Sequence, residues 1–296
     1  MNGSPLRNSR RPIAVAAALA GMVSLAIGAH AALNKQADAP KPAATERAAG
    51  TAGESAKQSD KQSIKGAAKL ALVIGNGHYP DAGAPLAQPI NDARALTSAL
   101  RRDGFDVDVV EDASRDDMDR AIGRLQSRIK PDSVVLLFFG GYGVQSGRES
   151  YMIPVDATIW RESDVRRHGI SIQSVLGMIA GQGARARLAV IDASRRNPYE
   201  RRFRAFSHGL APITAADNAL VLTSASPGKV ADDTAHPHSV LMTELLQNLN
   251  TPSAAEALFN TTRLAVSRAS AGEQVPQVSS SLVEDISLGT AENAGS

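Results

Sequence analysis

Residues 134–145 have the sequence VVLLFFGGYGVQ. The first six are continuously apolar, which predicts a strand buried on both faces, as in the centre of a parallel sheet. This strand runs directly into the Gly-rich loop 140–143. The pattern recurs at residues 188–198, LAVIDASRRNP, where a shorter apolar strand ends in the polar loop 192–194. Two strands that each end in a distinctive loop indicate a site at one edge of a sheet.

The rest of the chain alternates apolar runs with segments of helical periodicity, so the fold class is α/β with a mostly parallel, doubly wound sheet. The predicted strands are 70–74, 105–109, 134–139, 188–191, 219–222 and 275–282, and the predicted helices are 91–102, 118–129, 171–180, 239–249 and 253–270. Sites in such sheets form at the carboxyl ends of the strands. Loops 140–143 and 192–194 are therefore expected to face one crevice.

The two loops resemble those of the caspase-like cysteine peptidases, which include caspases, metacaspases, paracaspases and bacterial relatives. In that family the first loop is roughly Tyr-Ala-Gly-His-Gly, with His as general base, and the second is Asp-Ala-Cys-Arg, with Cys as nucleophile. Further matching segments are 72–76 (LVIGN), 89–93 (PINDA), 151–157 (YMIPVDA), 195–198 (RRNP), 272–276 (GEQVP) and 279–282 (SSSL). The resemblance covers residues 69–288. It implies a three-layer sandwich with a mostly parallel central sheet and helices on both faces.

Both catalytic positions of that family are substituted here. Tyr142 stands at the His position and Ser194 at the Cys position, 52 residues later, close to the spacing of about 50 between the caspase His and Cys. A phenol, with an ordinary pKa of about 10, is a poor base at neutral pH. A serine hydroxyl attacks only when a neighbouring base activates it. The chain contains no cysteine that could serve instead.

A different histidine could in principle activate Ser194, which would give a residual endopeptidase. The histidines are His30, His78, His168, His208, His236 and His238. His78 follows the first strand, and His236 and His238 lie before a helix in a loop that borders the site in the family. None has a characteristic spacing, and surface or loop positions are the simpler interpretation of each.

The resemblance also implies binding residues in the two loops. The backbone N–H groups of Gly143 and Ser194 correspond to the family's oxyanion hole, and Gly141 belongs to the same loop. Asp192 corresponds to an acid that helps form a pocket for a basic side chain in metacaspase-like members. The alternative for Asp192 is a strand-end carboxylate that caps a loop. For Asp156, a role in a turn is the expectation.

The first 66 residues of the chain have a different composition. Arg7, Arg10 and Arg11 precede an uncharged apolar stretch at residues 12–33. This pattern predicts either a cleaved signal peptide or an uncleaved membrane anchor, and hence export to a bacterial periplasm or tethering to the inner membrane on the periplasmic side. Residues 34–66 are polar and Ala-rich, which predicts a disordered linker. The caspase-like domain is expected at 67–290, followed by a tail at 291–296.

Charge and composition limit the classes of partner. A net charge of +2 and an aromatic content of 4% give no support to a nucleic-acid-binding protein. No Asp/Glu cluster has the spacing of a calcium site, so neither a metal nor another cofactor is expected. Seven arginines surround Ser194: Arg185, Arg187, Arg195, Arg196, Arg201, Arg202 and Arg204. They predict either a solvated basic loop or a surface for an anionic partner.

Three functions are consistent with these observations. The first is a caspase-like pseudopeptidase that binds a protein segment in the cleft, or regulates a partner, without cleavage. The second is an endopeptidase that uses Ser194 with a base foreign to the family. The third is a structural protein of the cell envelope, held near the membrane by its basic loop. The family as a whole has the label of cysteine-type endopeptidase, which the side chains at 142 and 194 do not support.

Overall fold

A computed structural model describes residues 67–82, 85–203, 208–231 and 236–289. The basic and apolar N-terminal segment, the whole linker and the C-terminal tail lie outside these residues. Among the helices that are described, none combines the length and apolar character needed to cross a bilayer.

The described residues form eleven strands and six α-helices. The strands are β1 (Lys69–Gly75), β2 (Asp106–Glu111), β3 (Val134–Gly140), β4 (Gly143–Ser146), β5 (Glu149–Met152), β6 (Ile170–Ser171), β7 (Ala186–Asp192), β8 (Ala219–Thr223), β9 (Ser253–Ala254), β10 (Gln277–Ser280) and β11 (Ser287–Leu288). The helices are α1 (Gln88–Arg102), α2 (Arg115–Arg128), α3 (Glu162–His168), α4 (Ile172–Gly181), α5 (Val240–Asn248) and α6 (Ala255–Ala269). Short 3₁₀ turns occur at Pro80–Ala82 and Glu200–Arg202.

Six strands form the central sheet in the order β10-β8-β7-β3-β1-β2. Within this sheet, β1, β2, β3, β7 and β8 pair in parallel, and β10 pairs with β8 in the antiparallel direction. The predicted α/β architecture is thus confirmed, with a mixed, mostly parallel sheet. β3 lies between β1 and β7 and is buried at all seven of its residues, as its apolar sequence predicts.

Alternate residues of each central strand serve two separate cores. On one face, Leu136 and Phe138 of β3 pack with apolar side chains of α1, α5 and α6. On the other face, Val135, Leu137 and Phe139 pack with those of α2 and α4. The period of two along the strands therefore gives a layer of helices on each side of the sheet.

A third apolar cluster lies beyond the carboxyl ends of the strands. Here the small antiparallel sheet β4-β5-β6 meets the loop after β1 and the segment 199–203. All four tyrosines of the chain belong to this cluster: Tyr79, Tyr142, Tyr151 and Tyr199. This third cluster encloses one side of the region where the two distinctive loops meet.

Candidate active site

The structure brings the two distinctive loops together at one edge of the sheet. β3 and β7 pair in register, with Gly140 opposite Asp192. The pairing continues past the strand ends, because Gly141 N donates to Asp192 O (3.3 Å) and Gly143 N donates to Ala193 O (3.1 Å). Positions 142 and 194 thus follow neighbouring parallel strands at one edge of the sheet.

Tyr142 is part of the third apolar cluster. Its side chain is buried, and its ring packs edge-on against Tyr79 with centroids 4.9 Å apart. Tyr142 N donates to Tyr79 Oη (3.0 Å), which in turn donates to the carbonyl of Ile153 (3.0 Å). Burial raises the pKa values of Tyr79 and Tyr199 above the ordinary value of a phenol. The position of the family's imidazole therefore holds an aromatic packing residue beside two phenols that stay protonated at neutral pH.

Ser194 is completely buried, with 0% of its surface exposed. Its N–H donates to Ser224 Oγ (3.2 Å), and its carbonyl accepts from the N–H of Ala231 (2.7 Å). Its own hydroxyl makes no hydrogen bond within the part of the chain that the structure describes. Within these ranges no histidine, and no other base, is bonded to the candidate nucleophile.

The two amides expected to form an oxyanion hole already donate within the protein. Gly143 N bonds to the carbonyl of Ala193, and Ser194 N bonds to Ser224. Gly143 is also in close contact with its surroundings: an added Cβ would lie 2.6 Å from Leu210 Cδ2 and 2.8 Å from Ala193 O. A substrate carbonyl could use these amides only after displacing both bonds.

Asp192 is buried and associated with an arginine of its own loop. Arg195, itself 4% exposed, places Nη1 3.7 Å from Asp192 Oδ1. The same guanidinium donates to Gly141 O (3.0 Å) and to the Asp192 carbonyl. The second carboxylate oxygen of Asp192 has no hydrogen bond from any described residue. The acid expected to receive a basic side chain therefore already interacts with one.

Asp92 is a second buried acid at this edge, and the sequence analysis did not assign it a role. It lies on α1 and is 0% exposed, with Oδ1 2.7 Å from His238 Nδ1 and Oδ2 accepting from Ser239 N (3.3 Å). Burial, with a contribution from the nearby Asp192 carboxylate, raises the pKa of Asp92 to about 6. The sequence could have indicated this burial, because Asp92 lies beside Ala93 and Leu96 on the apolar face of a predicted helix. An unpaired carboxylate is unfavourable in such a position.

Three of the described histidines pair with carboxylates, and none of these pairs includes Ser194. His78 Nδ1 lies 2.5 Å from Asp112 Oδ2 on the exposed surface. His238 pairs with Asp92, as described above, and its side chain is 35% exposed. His208 lies 3.8 Å from a carboxylate oxygen of Glu200. His30 lies outside the described residues.

Several arginines of the cluster around Ser194 form contacts within the fold. Arg187 is buried and donates to backbone carbonyls of Leu176, Ala216 and Asp217. Four arginines of the cluster are thus engaged with acids or carbonyls of the fold: Arg185 with Glu284, Arg187 with those carbonyls, Arg195 with Asp192, and Arg202 with Asp81. Arg196 and Arg201 are exposed, and Arg204 lies outside the described residues. Two of these side chains, those of Arg187 and Arg195, are buried, and those of Arg185 and Arg202 are partly exposed and paired with acids of the fold.

Asp156 has the turn role that was expected, and it also caps a helix. Its Oδ1 accepts from the N–H of Arg115 at the start of α2 (2.9 Å). The residues that the structure describes contain no group of three or more His, Cys, Asp or Glu side chains able to hold a metal ion.

The raised pKa of Asp92 predicts an unusual pH dependence of stability. A carboxyl whose pKa rises on folding from 3.8 to about 6 stabilises the native state below pH 4, and this contribution is lost as the pH rises through 6. Two pKa units correspond to about 3 kcal/mol. Relative to Asp92→Asn, the wild-type free energy of unfolding should therefore fall by up to that amount between pH 4 and 7. Urea titrations of both proteins measure the difference, and a pH-independent difference would contradict the assignment.

Comparison with known proteins gives a family match over most of the chain. A family model described as "Caspase domain" matches residues 68–287. The human protein "Mucosa-associated lymphoid tissue lymphoma translocation protein 1" is 28% identical over 133 residues, which are 45% of this chain and 16% of that protein. Its homolog from Mus musculus matches at 28% identity over 133 residues, with the same two coverages, 45% and 16%. The match therefore spans about a sixth of the length of these curated relatives.

Proposed function

Because the chain belongs to the caspase-domain family, we propose that it is a caspase-like pseudopeptidase, which binds a protein segment at the carboxyl ends of β3 and β7 without cleaving it. Through this binding it would regulate a partner. The proposal combines a retained family fold with the residues that stand at the two catalytic positions.

The state of Ser194 is the observation that carries the proposal. Its hydroxyl is inaccessible to solvent and is bonded to no base among the described residues. Tyr142, at the position of the family's base, is held in an apolar cluster. A hydroxyl is a weak nucleophile without a base, and removal of nucleophile or base from a serine protease lowers kcat by about 10⁶. These features favour a protein selected for binding over turnover.

Two observations support a binding site for a basic side chain. Asp92 and Asp192 are both buried, and burial together with the nearby Asp192 carboxylate raises the pKa of Asp92. Four buried polar atoms without a hydrogen bond from any described residue lie within residues 192–199: Asp192 Oδ2, Ser194 Oγ, Asn197 Nδ2 and Tyr199 Oη. Native proteins leave few such atoms unsatisfied, so this loop stands to gain hydrogen bonds when a ligand binds.

The proposed place of action is outside the cytoplasm. Arg7, Arg10 and Arg11, followed by the apolar residues 12–33, are typical of an export signal or an anchor. The linker at 34–66 would then separate the domain from a cleavage site or membrane. Exposed Arg196 and Arg201 remain available for an anionic partner in this setting.

A residual endopeptidase is the second candidate, and the His238–Asp92 pair favours it. An imidazole oriented by a buried carboxylate is the arrangement that a serine nucleophile requires. It lies near the strand edge that presents Ser194, although the two are not hydrogen-bonded. In that case His238→Ala and Ser194→Ala should each abolish hydrolysis, whereas neither should matter in a pseudopeptidase.

Binding of basic peptides tests the proposed function. The purified full chain should bind labelled peptides that contain Arg or Lys, and Asp192→Asn should weaken binding about 10- to 100-fold, because a charge-assisted hydrogen bond contributes about 1.5–3 kcal/mol. Fluorescence anisotropy gives the Kd. Asp116→Asn is the matched control, since it removes the same charge from an exposed position on α2. Equal affinity of wild type and Asp192→Asn would refute this site.

A further inference from the structure

We infer that His238 competes with the basic side chain of a ligand for binding to the Asp92–Asp192 pair. A ligand would therefore bind most readily when this imidazole is neutral. The inference rests on the proposed function and adds to it a means of regulation. The evidence is the set of contacts between the loop 236–239 and α1.

Each acid of the pair already has a cationic or titratable partner from its own chain. Asp192 lies 3.7 Å from the guanidinium of Arg195, and Asp92 Oδ1 lies 2.7 Å from His238 Nδ1. These two partners differ in exposure: Arg195 is buried, whereas the side chain of His238 is 35% exposed. Of the two, His238 is the one that an incoming ligand can reach and replace.

The loop that carries His238 is fixed at its backbone, which leaves its ring as the movable part. Gln88 Nε2 donates to His236 O (3.2 Å), and Asn91 Nδ2 donates to Pro237 O (3.1 Å). Ser239 N donates to Asp92 Oδ2 (3.3 Å) and does not depend on the imidazole. Asp92 would therefore stay in place when the ring leaves.

Space for the displaced ring adjoins the pair. A cavity of about 360 Å³ is lined by His236, Pro237, His238, Val240, Thr243, Glu244 and Ala269. Rotation of His238 into this cavity would expose one oxygen of Asp92 without any change in the fold. The side chain of His238 thus has two accessible environments, one on the acid and one beside it.

Charge decides which of the two environments is favoured. His238 contacts Asp92 from α1, and His236 from the same loop and Glu244 from α5 line the same cavity as His238. Asp92 in turn interacts with the Asp192 carboxylate at the end of β7, which lies beside Arg195. With His238 protonated, the two acids are balanced by two cations. With His238 neutral, one negative charge is left without a compensating positive charge. A basic side chain of a ligand can supply that positive charge.

The direction of the pH dependence follows from this balance. An imidazole loses its positive charge as the pH rises, so the competitor weakens. The dependence applies above the pKa of Asp92, which is raised to about 6, because only there is the carboxylate charged. The apparent Kd is the intrinsic Kd divided by the fraction of protein in the competent state. If nine-tenths of the molecules hold the charged imidazole on Asp92, affinity falls about 10-fold.

The test measures the affinity of the full chain for a labelled, end-blocked peptide with one arginine, at pH 7 and pH 8.5, both above the pKa of about 6 of Asp92, so that its carboxylate is charged. His238→Gln, which cannot be charged, should bind about 10-fold more tightly than wild type at pH 7 and about equally at pH 8.5. His78→Gln is the matched control, because it removes another imidazole that pairs with a carboxylate, and it should match wild type at both values.

A second measurement follows the ring directly in the wild-type protein. In ¹H–¹⁵N spectra of the histidine side chains, the signals of His238 should shift when peptide is added, and those of His78 should not. Equal affinities of wild type and His238→Gln at pH 7, or unchanged His238 signals on binding, would overturn the inference while leaving the proposed function intact. Absence of peptide binding by all variants at both pH values would overturn the proposed function and the inference with it.

Discussion

The purified chain should hydrolyse peptides containing Arg or Lys no faster than buffer does, and Ser194→Ala should leave this background unchanged. The expected deficit relative to an enzyme with an intact nucleophile and base is about 10⁶ in kcat. The physical reasons are a hydroxyl without a base, a phenol fixed in an apolar cluster, and two amides that already donate to Ala193 and Ser224. A peptide-library screen with mass-spectrometric detection checks whether any cleavage exceeds this background.

The variant gives this experiment its control. Cleavage that persists in Ser194→Ala would come from a contaminating enzyme. Cleavage that disappears in Ser194→Ala would establish Ser194 as a nucleophile and exclude the pseudopeptidase. His238→Ala would then show whether the imidazole on Asp92 is the base.

Gly209→Ala should produce the largest loss of stability among single methyl additions near the site. Gly209 has φ of +62°, and an added Cβ would overlap the carbonyl oxygen of Lys229. The segment that contains Lys229 also covers Ser194, because Ala231 N donates to Ser194 O (2.7 Å). We expect a loss of about 3–5 kcal/mol from strain and overpacking together. Urea unfolding measures the total, and hydrogen exchange at the Ala231 amide reports whether the segment detaches.

Gly228→Ala separates the two contributions. Gly228 also has positive φ, +72°, but an added Cβ would meet nothing within 4 Å. This variant should therefore lose only about 1 kcal/mol, the usual cost of a left-handed conformation for alanine. Equal losses in both variants would mean that the close approach of Lys229 to Gly209 is unimportant.

The main elements of the fold could be predicted because the spacing of their apolar residues indicates which faces are buried. The run 134–139 predicted the central strand, and the periodicity of 118–129 predicted α2, which extends from Arg115 to Arg128. Helix α3 (Glu162–His168) was not predicted, since Val165 is its single buried apolar residue. The strands β4 to β6 were missed because they are short and mix polar with apolar residues. The predicted strand 275–282 is real at Gln277–Ser280, but its antiparallel direction has no signature in composition.

Some features of the candidate site could likewise be predicted from the sequence, and others could not. The placement of positions 142 and 194 at one edge of the sheet could be predicted, because both loops follow strands of a parallel sheet. That these two strands are neighbours is a finding of the structure. The pairing of Asp92 with His238 joins residues 146 positions apart, and no local pattern encodes such a contact. Arg195 and Arg187 turn inward, although a run of arginines ordinarily indicates a solvated surface. Sequence spacing gives the position of a residue along an element, whereas the partner of its side chain depends on packing between elements.

The continuation of the β3–β7 pairing beyond the strand ends has an evolutionary consequence. The bonds that join the two loops run from Gly141 N to Asp192 O, from Gly143 N to Ala193 O and from Arg195 to Gly141 O. None of them uses the side chain at position 142 or 194. Mutation at either position could therefore erase chemistry while the scaffold persisted, so a lineage could abandon proteolysis in two small steps and keep a folded domain throughout.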